Sequence, residues 1–202
     1  MPFRQQHRGR HPEDTELFAP GRVPVLQGAA RDLSWLYTRG YAANSALKLV
    51  GDRYQLAARE RMALQRAACS EGSRVDRAAH RVALESLSGA GVALDGYNLL
   101  ITVESMLSGG VLIRARDGCL RDLASLHGSY RRVEETEPAL MLIGETLARL
   151  KAGHVRWYLD APVSNSGRLA RCCAAWRRGR RGHGKWKWRT VLIACCGRRR
   201  KS

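Results

Sequence analysis

The sequence predicts an α/β fold, α+β in overall make-up, in which a small helical module precedes a layer of parallel strands. Two observations carry this. From Val23 onward apolar residues recur at three- and four-residue spacings, the period of a helix with one buried face. Further on, two short apolar runs at 92–95 and 155–160 each close on an aspartate and are separated by helical patterns. A connection of that length joins parallel neighbours. With 45% hydrophobic residues in a chain of 202, there is apolar side chain enough for a core.

Residues 1–20 are polar and contain proline, and read as a loose arm. The helical module is expected over 21–88. Leu26, Ala29, Ala30, Leu33, Leu36 and Tyr37 form one apolar stripe, which Gly40 ends. Asn44 or Ser45 is placed to cap a second helix carrying Ala46, Leu47, Leu49 and Val50, broken by Gly51-Asp52. A third is expected over 55–69, with Leu56, Met62, Ala63, Leu64 and Ala67 inward, and a fourth over 76–87. The second and third helices have the look of a helix-turn-helix with Arg59, Arg61 and Arg66 on the second member. Short helix pairs are common, however, and a packed bundle with solvated arginines is the preferred reading.

Ser88-Gly89-Ala90-Gly91 marks a joint, and an α/β layer is expected over 89–169. The run 92–95 reads as a strand with Asp95 at its C-terminal edge, where open α/β sheets bind ligands. A helix over 99–107 contains Glu104, and Val111-Leu112-Ile113 is a short apolar run. Asp117-Gly118 is a turn, followed by a helix over 120–130 with Arg121 and Asp122 on its polar side and His127 within it. Pro138 opens a helix over 139–150, and the run 155–160 is a second strand ending in Asp160.

Parallel pairing of the two strands puts Asp95 and Asp160 on one rim. Carboxylates gathered there need a counter-charge, and Mg²⁺ or Mn²⁺ supplies one. Such an ion activates water and steadies a phosphodiester transition state. Glu104, Asp117 and Asp122 are the nearby acids that would complete a metal cluster, Asp122 ranking above the turn residue Asp117. Arg121, Arg131 and Arg132 are candidates for phosphate contact, their plainer role being a solvated helix face. His127 reads more readily as a packed histidine than as a proton shuttle.

The +17 net charge is unevenly spread: residues 167–202 hold 13 of the 35 Lys+Arg and none of the 18 Asp+Glu. This stretch also holds four of six cysteines and three of five tryptophans, and Arg, Gly, Cys and Trp fill 22 of its 36 positions. Codons for these four share a middle G, the mark of a GC-rich gene read out of register. The composition therefore predicts a shifted frame shortly after Leu169 and a non-native basic tail over 170–202. The rival is a genuine tail in which Arg180, Arg181, Lys185 and Lys187 neutralise phosphates while Trp186 and Trp188 stack bases. The pairs Cys172–Cys173 and Cys195–Cys196 lack the spacing of a zinc site. No run of about 18 apolar residues is present, which excludes a membrane-spanning helix, and the first residues have no apolar signal segment. A cytoplasmic location is expected.

The stretches DLSWLYTRGY, ALKLVGDRY, DGYNLLITVESMLSGG, RDGCLRDLASLHGSYRRVEET and LDAPVSNSG resemble a prokaryotic family known as domain of unknown function 434, over residues 12 to 169. The segment Leu94-Asp95-Gly96-Tyr97-Asn98 also resembles the opening strand of NYN-type, PIN-like ribonucleases. That resemblance implies a nuclease-like site in which Asp95 binds metal, Asn98 supports it and Asp160 contributes from LDAPVSNSG, with RNA as partner. It implies an incomplete PIN-like layer as well, because relatives continue with further strands where this chain has its basic tail. A sheet short of late strands exposes an edge, so this product is expected to be unstable or inactive. The alternative function is a non-catalytic nucleic-acid- or protein-binding module.

Overall fold

The computed structural model describes residues 7–124, 130–160 and 191–196, by backbone alone at Asp160 and over 191–196. In chain order the elements are α1 (Asp14–Leu17), α2 (Val23–Thr38), α3 (Ala43–Arg53), α4 (Ala58–Ala67), α5 (Glu71–Ala79), a 3₁₀ turn (Leu84–Leu87), β1 (Val92–Asp95), α6 (Gly96–Leu107), β2 (Leu112–Arg114), β3 (Leu120–Asp122), α7 (Thr136–Arg149), β4 (Val155–Asp160) and β5 (Val191–Cys196). The fold is α/β with an N-terminal helical module, as its sequence pattern predicts. Among the described residues no helix is long and apolar enough to cross a membrane.

The chain forms two compact units. The helical unit comprises Gly9–Arg81 and Gly109–Leu123. Ala29, Leu33 and Leu36 of α2 meet Ala46 and Val50 of α3, Leu64 of α4 and the intervening Leu56 in one buried cluster. The expected apolar stripe of α2 is thus its core face. Ion pairs fasten the edges. Asp14, 2% exposed, receives both Nε and Nη2 of Arg59. Glu60, 1% exposed, receives Arg22 and also accepts the Ala57 N–H at the start of α4 (2.9 Å). Burial pushes the Asp14 carboxyl up, but the bonds from Arg59 and the His11 backbone outweigh it and hold the group below its ordinary value.

The sheet unit comprises Met1–Arg8, Val82–Ser108 and Ala124–Ser202. Its strand order is β1-β4-β5, parallel throughout, with Val92 opposite Val155, Asp95 opposite Tyr158, Val155 opposite Val191 and Asp160 opposite Cys196. Leu100 and Ile101 of α6, Ala139, Leu140 and Ile143 of α7, and Val155, Trp157 and Leu159 of β4 build its core.

The structure departs from the sequence expectations in several places. Residues 7–20 do not form a free arm: α1 sits there, and the Asp14–Arg59 pair anchors it. No side chain caps α3, which begins after Ala42 and runs through Gly51, where the Arg61 guanidinium packs. The break comes later, at Gln55, whose φ is +49°. Arg59 and Arg61 are committed to Asp14 and Asp52 rather than solvated or set out as a recognition helix. α5 starts at Glu71, not near residue 76, because the Ser70 hydroxyl accepts the Ser73 N–H (3.2 Å) and caps it. The helix expected over 120–130 is instead strand β3 at its start, antiparallel to β2 across the Asp117-Gly118 turn. Gly118 has φ +82°, the left-handed geometry such a turn requires. Finally, β5 lies in the stretch that composition marks as non-native, and it makes β4 the central strand of its sheet.

Candidate functional site

β1 ends on Asp95 and α6 begins at once with Gly96. The Asp95 carboxylate accepts the backbone N–H of Asn98 (3.3 Å) through one oxygen and the Asn98 side-chain amide (2.7 Å) through the other. It is therefore the N-cap of α6, and both residues are exposed. A Cβ at position 96 would stand 2.6 Å from Leu159 Cδ2 and 2.9 Å from the Tyr158 carbonyl oxygen. Only glycine lets the helix start so close to β4. Tyr97 then turns into the core, its ring 5.3 Å from that of Tyr130. The four residues of DGYN thus serve in turn as helix cap, point of close approach, core side chain and partner of the cap.

Asp160 is the last residue of β4. Because Asp95 pairs with Tyr158 in a parallel register, Asp160 lies two positions further along the neighbouring strand, at the same C-terminal edge. That edge also receives the N-terminus of the twelve-residue α6, whose dipole favours negative charge. The expected rim of two β-ends is present in the backbone.

Glu104 sits elsewhere in the unit's interior. It is fully buried, and its carboxylate receives Arg8 Nε (2.8 Å), the Tyr130 hydroxyl (2.5 Å) and the Thr136 hydroxyl (2.6 Å). The Arg8 guanidinium also bonds the Arg131 carbonyl (2.9 Å) and lies 5.1 Å from the Tyr130 ring centroid. Burial, reinforced by the Glu104 charge, pushes the Tyr130 phenol far above its ordinary range. Beside it, His7 Nδ1 meets Glu135 Oε1 at 2.5 Å; that bond and the Glu134 charge raise the imidazole's affinity for a proton. Glu104 is thus a satisfied buried ion-pair member rather than an open ligand. Sequence reasoning missed Arg8, Tyr130 and Thr136, and no local signal joins Arg8 to a residue 96 positions away.

The remaining candidates scatter. Asp122 is buried on β3 and belongs to the helical unit. Arg121 gives both terminal nitrogens to Asp117 (2.9 and 2.7 Å), a carboxylate with no exposed side-chain surface. Arg132 pairs with Glu137 at 2.9 Å in an exposed setting, and Arg131 lends its carbonyl to Arg8. His127 lies outside the described residues. Among the described residues, no three His, Cys, Asp or Glu side chains converge as a metal cluster.

Comparison with known proteins finds two family matches along the chain. Residues 25–79 match the family described as Protein of unknown function (DUF434), a shorter span than the 12–169 expected from the quoted stretches. Residues 84–189 match Domain of unknown function (DUF5616), so this likeness continues past Leu169. An uncharacterized protein of Methanocaldococcus jannaschii is 30% identical over 146 residues, covering 72% of this chain and 70% of that protein. No solved structure matches. With more than half of its residues aligned, the chain belongs to the family described as Domain of unknown function (DUF5616).

Proposed function

We propose that the sheet unit is a PIN-like, metal-dependent ribonuclease acting on single-stranded RNA at the edge formed by Asp95 and Asp160. The supporting observation is the parallel β1–β4 pairing, which brings two aspartate-tipped strand ends to one side of the sheet. Mg²⁺ is commonly held by one or two carboxylates, with waters and substrate phosphate oxygens filling its shell. A donor set of Asp95 and Asp160 suits that chemistry. Glu104 is left out of it by its enclosure with Arg8. When bound, the ion supplies an activated water and charge stabilisation at the phosphodiester. Asp95 holds the ion, Asn98 fixes the carboxylate's orientation through its side-chain amide, and the α6 N-terminus favours the phosphate anion.

A second reading, a non-catalytic binding module, draws on the capping role of Asp95, which is reason enough for an aspartate there. One experiment separates the two. The full chain is incubated with labelled single-stranded RNA and Mn²⁺, beside Asp95→Asn and Asp160→Asn. Asparagine caps helices as well as aspartate, so Asp95→Asn keeps the fold and removes only the charge. The expectation of an inactive product rests on missing late strands; with β5 as a third parallel strand, the nuclease reading predicts cleavage by the parent and a loss of about 100-fold in each variant, the scale of losing one electrostatic stabiliser. No cleavage by the parent, or equal cleavage by all three, ends it.

A further inference from the structure

The helical unit carries a feature that the edge of the sheet does not use. Four arginines from α5 and the β2–β3 hairpin are braced on two carboxylates. Glu71 receives Arg74 (Nη2, 2.5 Å) and Arg116 (Nη2, 3.0 Å). Asp117 receives Arg77 (Nη1, 2.7 Å) and Arg121 (2.7 Å). The array therefore keeps a surplus of two positive charges. Over 66–81 and 109–123 as a whole, seven arginines face four acids. A carboxylate that braces a guanidinium fixes its direction and lowers the entropy lost when it meets a ligand. Arg77 and Arg116 remain 49% and 39% exposed, each touching its carboxylate through one terminal nitrogen.

The same unit presents exposed aromatic rings. Trp35 and Tyr41 are 53% and 54% exposed, and the Arg39 guanidinium lies 4.1 Å from the Trp35 ring centroid. This end of α2 is tied to the arginine array: the Thr38 hydroxyl accepts the Glu71 N–H at 2.9 Å, one helical turn from Trp35. Braced cations beside a stacking platform are the two parts that a single strand engages, phosphates on the first and base faces on the second. A duplex hides its base faces and would meet only the cations.

We infer that the face built by α5, the β2–β3 hairpin and the end of α2 docks single-stranded RNA, with Arg77 and Arg116 on phosphates and Trp35 under a base. The choice of RNA rests on the ribonuclease reading above; the docking does not.

The test is fluorescence anisotropy of a labelled single-stranded RNA with the full chain, in EDTA so that cleavage is silent, over a series of salt concentrations. Arg77→Ala/Arg116→Ala should weaken binding about ten-fold or more at low salt. It should also flatten the log K against log salt slope by about 1.4, roughly 0.7 for each lost phosphate contact. Trp35→Ala should weaken it about five-fold or more without changing the slope. Arg53→Ala, which removes one positive charge at a 73% exposed site on α3, should leave binding near the parent. Circular dichroism confirms that each variant is folded. Absent binding, an Arg53→Ala loss equal to that of the double variant, an unchanged slope, an indifferent Trp35→Ala, or equal affinity for duplex RNA each overturns the inference. Binding with no Mn²⁺-dependent cleavage leaves the surface standing and ends the ribonuclease reading. Cleavage with binding indifferent to these substitutions does the reverse.

Discussion

Gly96 decides how close α6 can come to the sheet. The β4 backbone lies against it, and the Tyr158 carbonyl oxygen cannot move aside without breaking the β-ladder. Gly96→Ala should therefore overpack the junction, lowering stability by about 2 kcal/mol in urea unfolding and shifting the start of α6 away from Leu159. A variant as stable as the parent would mean that β4 does not approach this closely. The strand and the helix that follows are legible in the sequence, because each is a local pattern. The need for glycine is not, since the atoms that demand it arrive some sixty residues later. Glu104 teaches the same lesson. Its place on an apolar helix invites a functional role, yet a distant arginine and two hydroxyls account for it.

Among the elements, the β2–β3 hairpin is one whose sequence pattern points the wrong way. The apolar spacing of 120–130 suggests a helix, whereas the Asp-Gly turn between two short runs is a strong hairpin signal, and the turn prevails. Its placement has an electrostatic consequence. The Arg121 bond, helped by the Cys119 N–H and the Arg77 charge, holds the Asp117 carboxyl well below its ordinary value against the opposing effect of burial. A carboxyl depressed in the folded state stabilises the fold above its unfolded pKa, and that contribution fades as pH falls through the folded value. Arg121→Met should therefore be less stable than the parent by its full amount above about pH 5, the gap between urea midpoints closing toward about pH 2. A gap independent of pH would show that the pair contributes packing alone. The α2 helix, by contrast, is legible throughout, because one stripe and one core coincide.

For the whole molecule, composition and topology give different views of the C-terminal stretch. The excess of Arg, Cys and Trp suggests a foreign tail, whereas β5 pairs in parallel with β4 over six residues and the family match runs to residue 189. Composition counts residues and is blind to the apolar run Val191-Leu192-Ile193-Ala194, which is strand-like on its own terms. The parallel strand order carries the functional account, because it alone gives the two aspartate-ended strands a common edge. The direct test is a Mn²⁺ titration of the full chain followed by electron paramagnetic resonance, with Asp95→Asn and Asp160→Asn beside it. The account predicts one bound ion per chain in the parent, weakened in each single variant and abolished when both are changed; an ion held equally well by the double variant, or none held by the parent, would contradict it.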